Sequence, residues 1–108
     1  MKSPKTAKLV CIYMNENDRC KGKPLYVALT QFLREKNIGV ITVIRGRVGL
    51  GPGGSIQGNH FWPIPGDVPV ILECLDQADR INAVLPEIHS MLTKGRYTVL
   101  DGKMWVNN

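Results

Sequence analysis

An apolar strand, a one-faced helix and a β-branched or apolar strand occur in that order twice in this chain of 108 residues, and that repetition restricts the fold more than any other feature. The first unit opens with LVCIYM (Leu9–Met14), a continuous apolar run suited to a strand buried on both faces. Pro24 has the fixed φ of a first helical turn, and Leu25, Ala28, Leu29, Phe32 and Leu33 follow at one-face spacing. A basic last turn (Arg34, Lys36) and Asn37, a residue that tolerates the left-handed cap, close that helix before VITVI (Val40–Ile44). In the second unit, VPVILECL (Val68–Leu75) reads as a strand with Pro69 near its start. Asp76 is expected to cap a helix carrying Ile81, Val84, Leu85, Ile88 and Leu92, with Pro86 kinking or restarting it and Gly95 ending it. YTVLDGKMWV (Tyr97–Val106) supplies the last strand, with Asp101-Gly102 as a tight hairpin or a loop.

Right-handed crossovers make the two strands of each unit parallel, and interleaving two such units produces an antiparallel four-stranded sheet with both helices on one face. The expected class is therefore α+β, a ferredoxin-like βαββαβ arrangement in a single domain, residues 1–108, with the first and third strands central. The other face of that sheet is left uncovered. Apolar residues on both faces of the central strands predict that a symmetric homo-oligomer covers it.

Between the units lies IRGRVGLGPGGS (Ile44–Ser55), which contains a literal G-x-G-x-x-G at Gly49, Gly51 and Gly54. A dinucleotide-binding turn needs a helix directly after the glycines, so that the pyrophosphate can sit on free N–H groups. Here Pro52 interrupts the motif, and SIQGNHFWPIPGDVP brings Gly58, Pro63, Pro65 and Gly66 without helical apolar spacing. No Gly-Lys-Ser/Thr ending follows, which removes the P-loop reading as well. Residues 47–66 read instead as a flexible, glycine-rich connection.

Composition narrows the function classes. Three cysteines without Cys-x-x-Cys spacing suggest neither a disulfide framework nor zinc, and Cys11 and Cys74 read as packed thiols in apolar runs. The basic start MKSPKTAK precedes only six apolar residues, so neither a signal core nor a membrane span is expected and a cytoplasmic location is. A formal charge of +5 favours anionic partners. His60 and His89 have no ligand-spaced neighbours, Glu16 and Asp18 sit in a polar loop, and no nucleophile-base pair is recognisable, so neither catalysis nor a metal site is expected.

A βαββαβ chain with a long glycine-rich connection after its second strand resembles the PII signalling proteins, in which that connection is the T-loop. IRGRVGLGPGG looks like the family's strand running into its T-loop base, and DGKMWV (Asp101–Val106) is similar to its B-loop run. Leu100 stands where PII has a glycine, and the NENDRCKGK loop is an addition. A closer resemblance, over nearly the whole chain, is to the PII-like family called domain of unknown function 190, through IYMNENDRCKGKPLYVAL, ITVIRGRVGLG, VPVILECLD and LPEI.

The resemblance implies a non-catalytic homotrimer that requires no cofactor and binds an adenine nucleotide (ATP, ADP or AMP) in clefts between subunits. Arg45 would offer a forked donor, Lys103 a point charge, and Gly46, Gly49, Gly51 and Gly102 close backbone approach to the anion. Phe61 and Trp62, aromatics in the long connection, would anchor a protein partner. Members of the unknown-function family resemble accessory proteins of fluoride channels, which implies a membrane transporter as the regulated partner. Two other readings share some of these residues. A nucleic-acid-binding module would use Arg45, Arg47, Lys94 and Arg96, although these basic residues form no run. A trimeric metal-tolerance-type protein of the same fold would need ligands that two isolated histidines and three scattered cysteines do not supply.

Overall fold

The computed structural model describes residues 3–46 and 68–107. The elements run β1 (Lys5–Asn15), β2 (Arg19–Cys20), β3 (Lys23–Pro24), α1 (Leu25–Glu35), β4 (Val40–Arg45), β5 (Pro69–Gln77), α2 (Ala78–Met91) and β6 (Arg96–Met104). Four strands form one sheet in the order β4-β5-β1-β6, with every neighbouring pair antiparallel. The first and third long strands, β1 and β5, are therefore the central ones, and the ferredoxin-like arrangement holds for the described elements. The long connection between β4 and β5 lies outside them.

Local chemistry explains most boundaries. Pro24 stands just before α1 as its N-cap residue, and Asn37 adopts φ 57 just beyond the C-cap, the left-handed conformation that ends the helix. α2 is one helix from Ala78 to Met91 with Pro86 inside it, so it does not restart there. Pro86 sits on the exposed side of the helix, so the carbonyl that loses its donor can be satisfied by water. Gly95 has φ 103, and a Cβ there would stand 2.9 Å from the Tyr13 carbonyl oxygen, so the turn into β6 requires glycine. The NENDRCKGK segment is more ordered than a loop, since β2 and β3 pair across a two-residue turn with Lys21 at φ 51 and Gly22 at φ 81.

Two further expectations are corrected. Asp76 is not the cap of α2, because it belongs to β5 and Gln77 is the N-cap residue. The strand simply continues two residues further than its apolar run, carried by pairing of Asp76 with Lys8 and Gln77 with Ala7. Asp101-Gly102 is neither hairpin nor loop; both residues lie inside β6, opposite Lys8 and Ala7. A partner strand with eleven residues gives β6 a ladder long enough to override the local turn signal.

Alternation in the strands divides the molecule into two layers. Val10, Ile12 and Met14 from β1 and Val70, Leu72 and Cys74 from β5 meet Leu25, Leu29 and Leu33 of α1 and Ile81, Val84 and Ile88 of α2 in one buried core. Each fully buried side chain there is worth about 1.5–3 kcal/mol. Cys74 is completely buried, and that burial, followed by the proximity of Cys11 and Asp76, pushes its thiol up to about 11. Both Cys11 and Cys74 are packed, as their apolar surroundings predicted.

Among the described residues, no helix covers the opposite face. The register lines up Val40, Leu75, Leu9 and Leu100 as one apolar row across all four strands. Two residues along, Thr42, Glu73, Cys11 and Thr98 form a mainly polar row, and beyond it come Ile44, Ile71, Tyr13 and Arg96. Val40, Ile44, Tyr13 and Leu100 remain exposed, Leu100 at 55%.

Candidate functional site

Arg45 is the last residue of β4, and Gly46 continues the pairing when its N–H donates to the Pro69 carbonyl at 2.8 Å. A Cβ on Gly46 would meet Pro69 Cγ at 2.8 Å, so the rigid proline ring packed against this root leaves no room for a side chain. On the other side, Glu16 donates its backbone N–H to the Val68 carbonyl at 2.9 Å. Its carboxylate accepts a hydrogen bond from Arg45 Nη2 and forms an ion pair with it. That bond and the attraction behind it raise the Arg45 pKa above its ordinary value. The guanidinium expected to take an external anion therefore holds an internal carboxylate here. Glu16 thus joins the end of β1 to residues flanking both ends of the long connection.

Next to it the chain is pinned by Asp18. The Asn15 N–H donates to Asp18 Oδ2 at 2.9 Å, the Leu25 N–H donates to the Asp18 carbonyl at 2.7 Å, and Lys94 Nζ lies 3.6 Å from Asp18 Oδ1. Asn15 Oδ1 is buried at the same place and has no partner among the described residues. Glu16 and Asp18, which sequence reasoning left in a polar loop, are each engaged with a basic residue. Among the described residues no cluster of three or more His, Cys, Asp or Glu side chains could hold a metal ion. His89 Nδ1 lies 2.8 Å from Tyr97 Oη, joining α2 to β6.

The remaining sequence-named residues do not gather at this end. Arg45 pairs with Val70, and Val70 with Met14, whereas Lys103 pairs with Thr6, eight residues away along β1. At roughly 3.3 Å per residue that separation is about 26 Å. Arg45 and Gly46 thus stand at one end of the sheet, with Gly102 and Lys103 at the other, and a single protomer does not bring them together. Gly102 has an ordinary φ and open space where a Cβ would be. It borders a hollow of about 290 Å³ with Ala7, Leu9, Leu75 and Leu100 on the open face. Glycine inside a strand weakens it, and such positions occur at bulges, at bends and where a ligand or another backbone comes close. Gly49, Gly51, His60, Phe61 and Trp62 lie outside the described residues.

Opposite the Arg45 end is a polar hub that periodicity alone did not reveal. Asp76 Oδ2 accepts the Gly39 N–H at 2.8 Å and faces Arg80 Nε at 3.2 Å, and its Oδ1 accepts the Gln77 N–H at 2.7 Å. Arg80 Nη2 in turn donates to the carbonyls of Lys36 and Asn37 at 3.3 and 2.5 Å, closing the C-terminus of α1. The i, i+4 spacing of Asp76 and Arg80 is the one sequence signal of this hub, and it competes with the capping signal of the same aspartate. No helix among the described residues is long and apolar enough to cross a membrane.

Comparison with known proteins places the chain in a family. A family profile, DUF190, described as Uncharacterized ACR, matches residues 7–104. The chain is 33% identical over 86 residues to a UPF0166 protein of Methanocaldococcus jannaschii, covering 80% of this chain and 79% of the relative. It is 30% identical over 81 residues to a UPF0166 protein of Aquifex aeolicus, covering 75% and 77% respectively.

Proposed function

Because the chain belongs to the DUF190 family, we propose that it is a PII-like, non-catalytic regulator that assembles as a homotrimer through the open sheet face. An adenine nucleotide or related anion binds in the clefts between subunits. The observation that carries this reading is the separation of the candidate ligands. Arg45 and Gly46 lie about eight residues of strand away from Gly102 and Lys103 in one protomer. An anion touching both sets has to take one from each of two subunits. The apolar row Val40, Leu75, Leu9 and Leu100 supplies a surface that association would remove from water.

In this reading the anion competes with Glu16 for Arg45. Displacing Glu16 releases the side chain that links the end of β1 to the residues flanking the connection, so ligand occupancy is transmitted to residues 47–66. A ligand shifts such an equilibrium only through differential contacts with the two states, and the exchange of Glu16 for a phosphate is one such difference. Phe61 and Trp62 then contact the regulated partner, a membrane transporter such as a fluoride channel, from the cytoplasmic side.

Isothermal calorimetry against ATP, ADP, AMP and cyclic AMP tests the site, with sedimentation velocity on the same samples. The expected result is a trimer that binds one of them with micromolar affinity, about -8 kcal/mol, and loses it in both Arg45→Ala and Lys103→Ala. Absence of binding by the trimer rejects the nucleotide site, and a monomer at all concentrations rejects the assembly on which the site depends.

A further inference from the structure

A groove of about 280 Å³ opens on the helix layer, where the β2-β3 hairpin meets α1 and α2, and none of the residues discussed above as anion ligands lines it. Its apolar surface comes from Ala28 and Phe32 on α1 and Met91 on α2. Phe32 and Met91 pack only partly against the core, which leaves apolar area in contact with water inside a concave site. Two cations, Lys21 and Lys23, enter from the hairpin, and two carboxylates, Glu35 and Glu87, from the helices. Lys23 is held in place, since its Nζ donates to Gln31 Oε1 at 3.1 Å. Lys21 belongs to the tight two-residue turn, where positive φ on a non-glycine residue fixes its backbone in a sparsely populated conformation. Among the described residues, neither lysine is salt-bridged to either carboxylate, so charges of both signs line the same groove.

That combination selects a ligand class. A simple anion attracted by the lysines would meet Glu35 and Glu87, and a simple cation would meet Lys21 and Lys23, so each single-charged ligand carries a like-charge penalty. The size, just below the roughly 300–1,000 Å³ of ordinary ligand pockets, suits a molecule smaller than a nucleotide. We propose that this groove binds a small zwitterion whose carboxylate and ammonium groups are separated by a short apolar chain. The carboxylate lies on Lys21 and Lys23, the ammonium on Glu35 and Glu87, and the chain on Ala28, Phe32 and Met91.

Cys20 lines the groove and is half-buried, whereas Cys11 and Cys74 are buried, which makes Cys20 a built-in reporter. The test follows the rate of Cys20 alkylation by iodoacetamide in the full chain, mapped by mass spectrometry, with 6-aminohexanoate as the probe and hexanoate and hexylamine as single-charged controls. Saturable protection by 6-aminohexanoate is expected, at concentrations at least about tenfold lower than either control requires. Lys23→Ala and Glu87→Gln, each compared with and without probe, remove that advantage while Cys11 and Cys74 stay unmodified. Protection that does not saturate, or equal protection by a control, overturns the proposal. So does a probe effect that survives both substitutions.

Discussion

Alternate residues of β5 belong to two different environments. Val70, Leu72, Cys74 and Asp76 point into the helix layer and are buried, while Ile71, Glu73 and Leu75 point to the open face and are half-buried. The first set is complete within one chain, because α1 and α2 meet it with leucine, isoleucine and valine at helical spacing. The second set is equally apolar at Ile71 and Leu75 but carries Glu73 between them, in a row with Thr42 and Thr98. Apolar rows on a face left in water serve no folding purpose, and a carboxylate on a closed face needs partners of the kind Asp76 has in the Gly39 and Gln77 N–H groups and Arg80. The difference separates the contacts that fold the protomer from the apolar rows that the proposed assembly would cover.

Substitution separates the two faces. Leu72→Ala on the covered face should lower stability by about 2–5 kcal/mol, because it opens a cavity among side chains that cannot collapse around it. Urea unfolding read against Leu75→Ala checks this, since the open-face substitution should cost no more than about 1 kcal/mol in dilute protein. If the open face carries the proposed trimer, Leu75→Asp should dissociate it in sedimentation velocity with little change in the protomer's circular dichroism. Equal losses from Leu72→Ala and Leu75→Ala would erase the distinction.

The polar edge of the covered face is the next target. Asp76→Ala leaves the Gly39 and Gln77 N–H groups and Arg80 without their acceptor, and should cost about 2–3 kcal/mol. A smaller loss from Arg80→Ala, whose side chain is more exposed, would confirm that the carboxylate organises the hub.

Cys74 provides a pH signature confined to the covered face. Its folded pKa, raised from 9.0 to about 11, means that the unfolded chain gives up the proton first. The associated stability is complete below pH 9 and is lost as pH rises toward 11. Cys74→Val should flatten that part of the alkaline unfolding profile relative to the parent.

The smallest effect belongs to the Arg45 end. Glu16→Gln should leave urea unfolding unchanged, since the pair is exposed, yet tighten nucleotide binding roughly two- to fivefold by removing the internal competitor. Calorimetry that finds unchanged or weaker affinity would show that Glu16 does not compete for the guanidinium.

Much of this fold was legible before any coordinates. The stripes Leu25, Leu29, Leu33 and Ile81, Val84, Ile88 identified both helices, and the unbroken apolarity of Leu9–Met14 marked a central strand. Asn37 and Pro24 marked where α1 stops and starts. The misreadings arose where a local signal met a stronger long-range one. Asp76 has a good capping side chain and Asp101-Gly102 a good turn, but each lies opposite β1 and is drawn into its ladder. For the candidate site, Arg45 and Gly46 were found through their motif, while Glu16 escaped because nothing in a polar loop reveals which strand end it will face.

Periodicity and capping are local properties, so the chain's residues determined by themselves that two strand-helix-strand units form and which side of each helix is apolar. Pairing register is a property of strands distant in sequence. Only the tertiary structure decided that Val40, Leu75, Leu9 and Leu100 make one row, that Arg45 meets Glu16, and that Lys103 stands at the far end of the sheet from it. Alternation fixes which face a strand's side chains take, but which residue of a distant strand each one meets is set only when the strands pair.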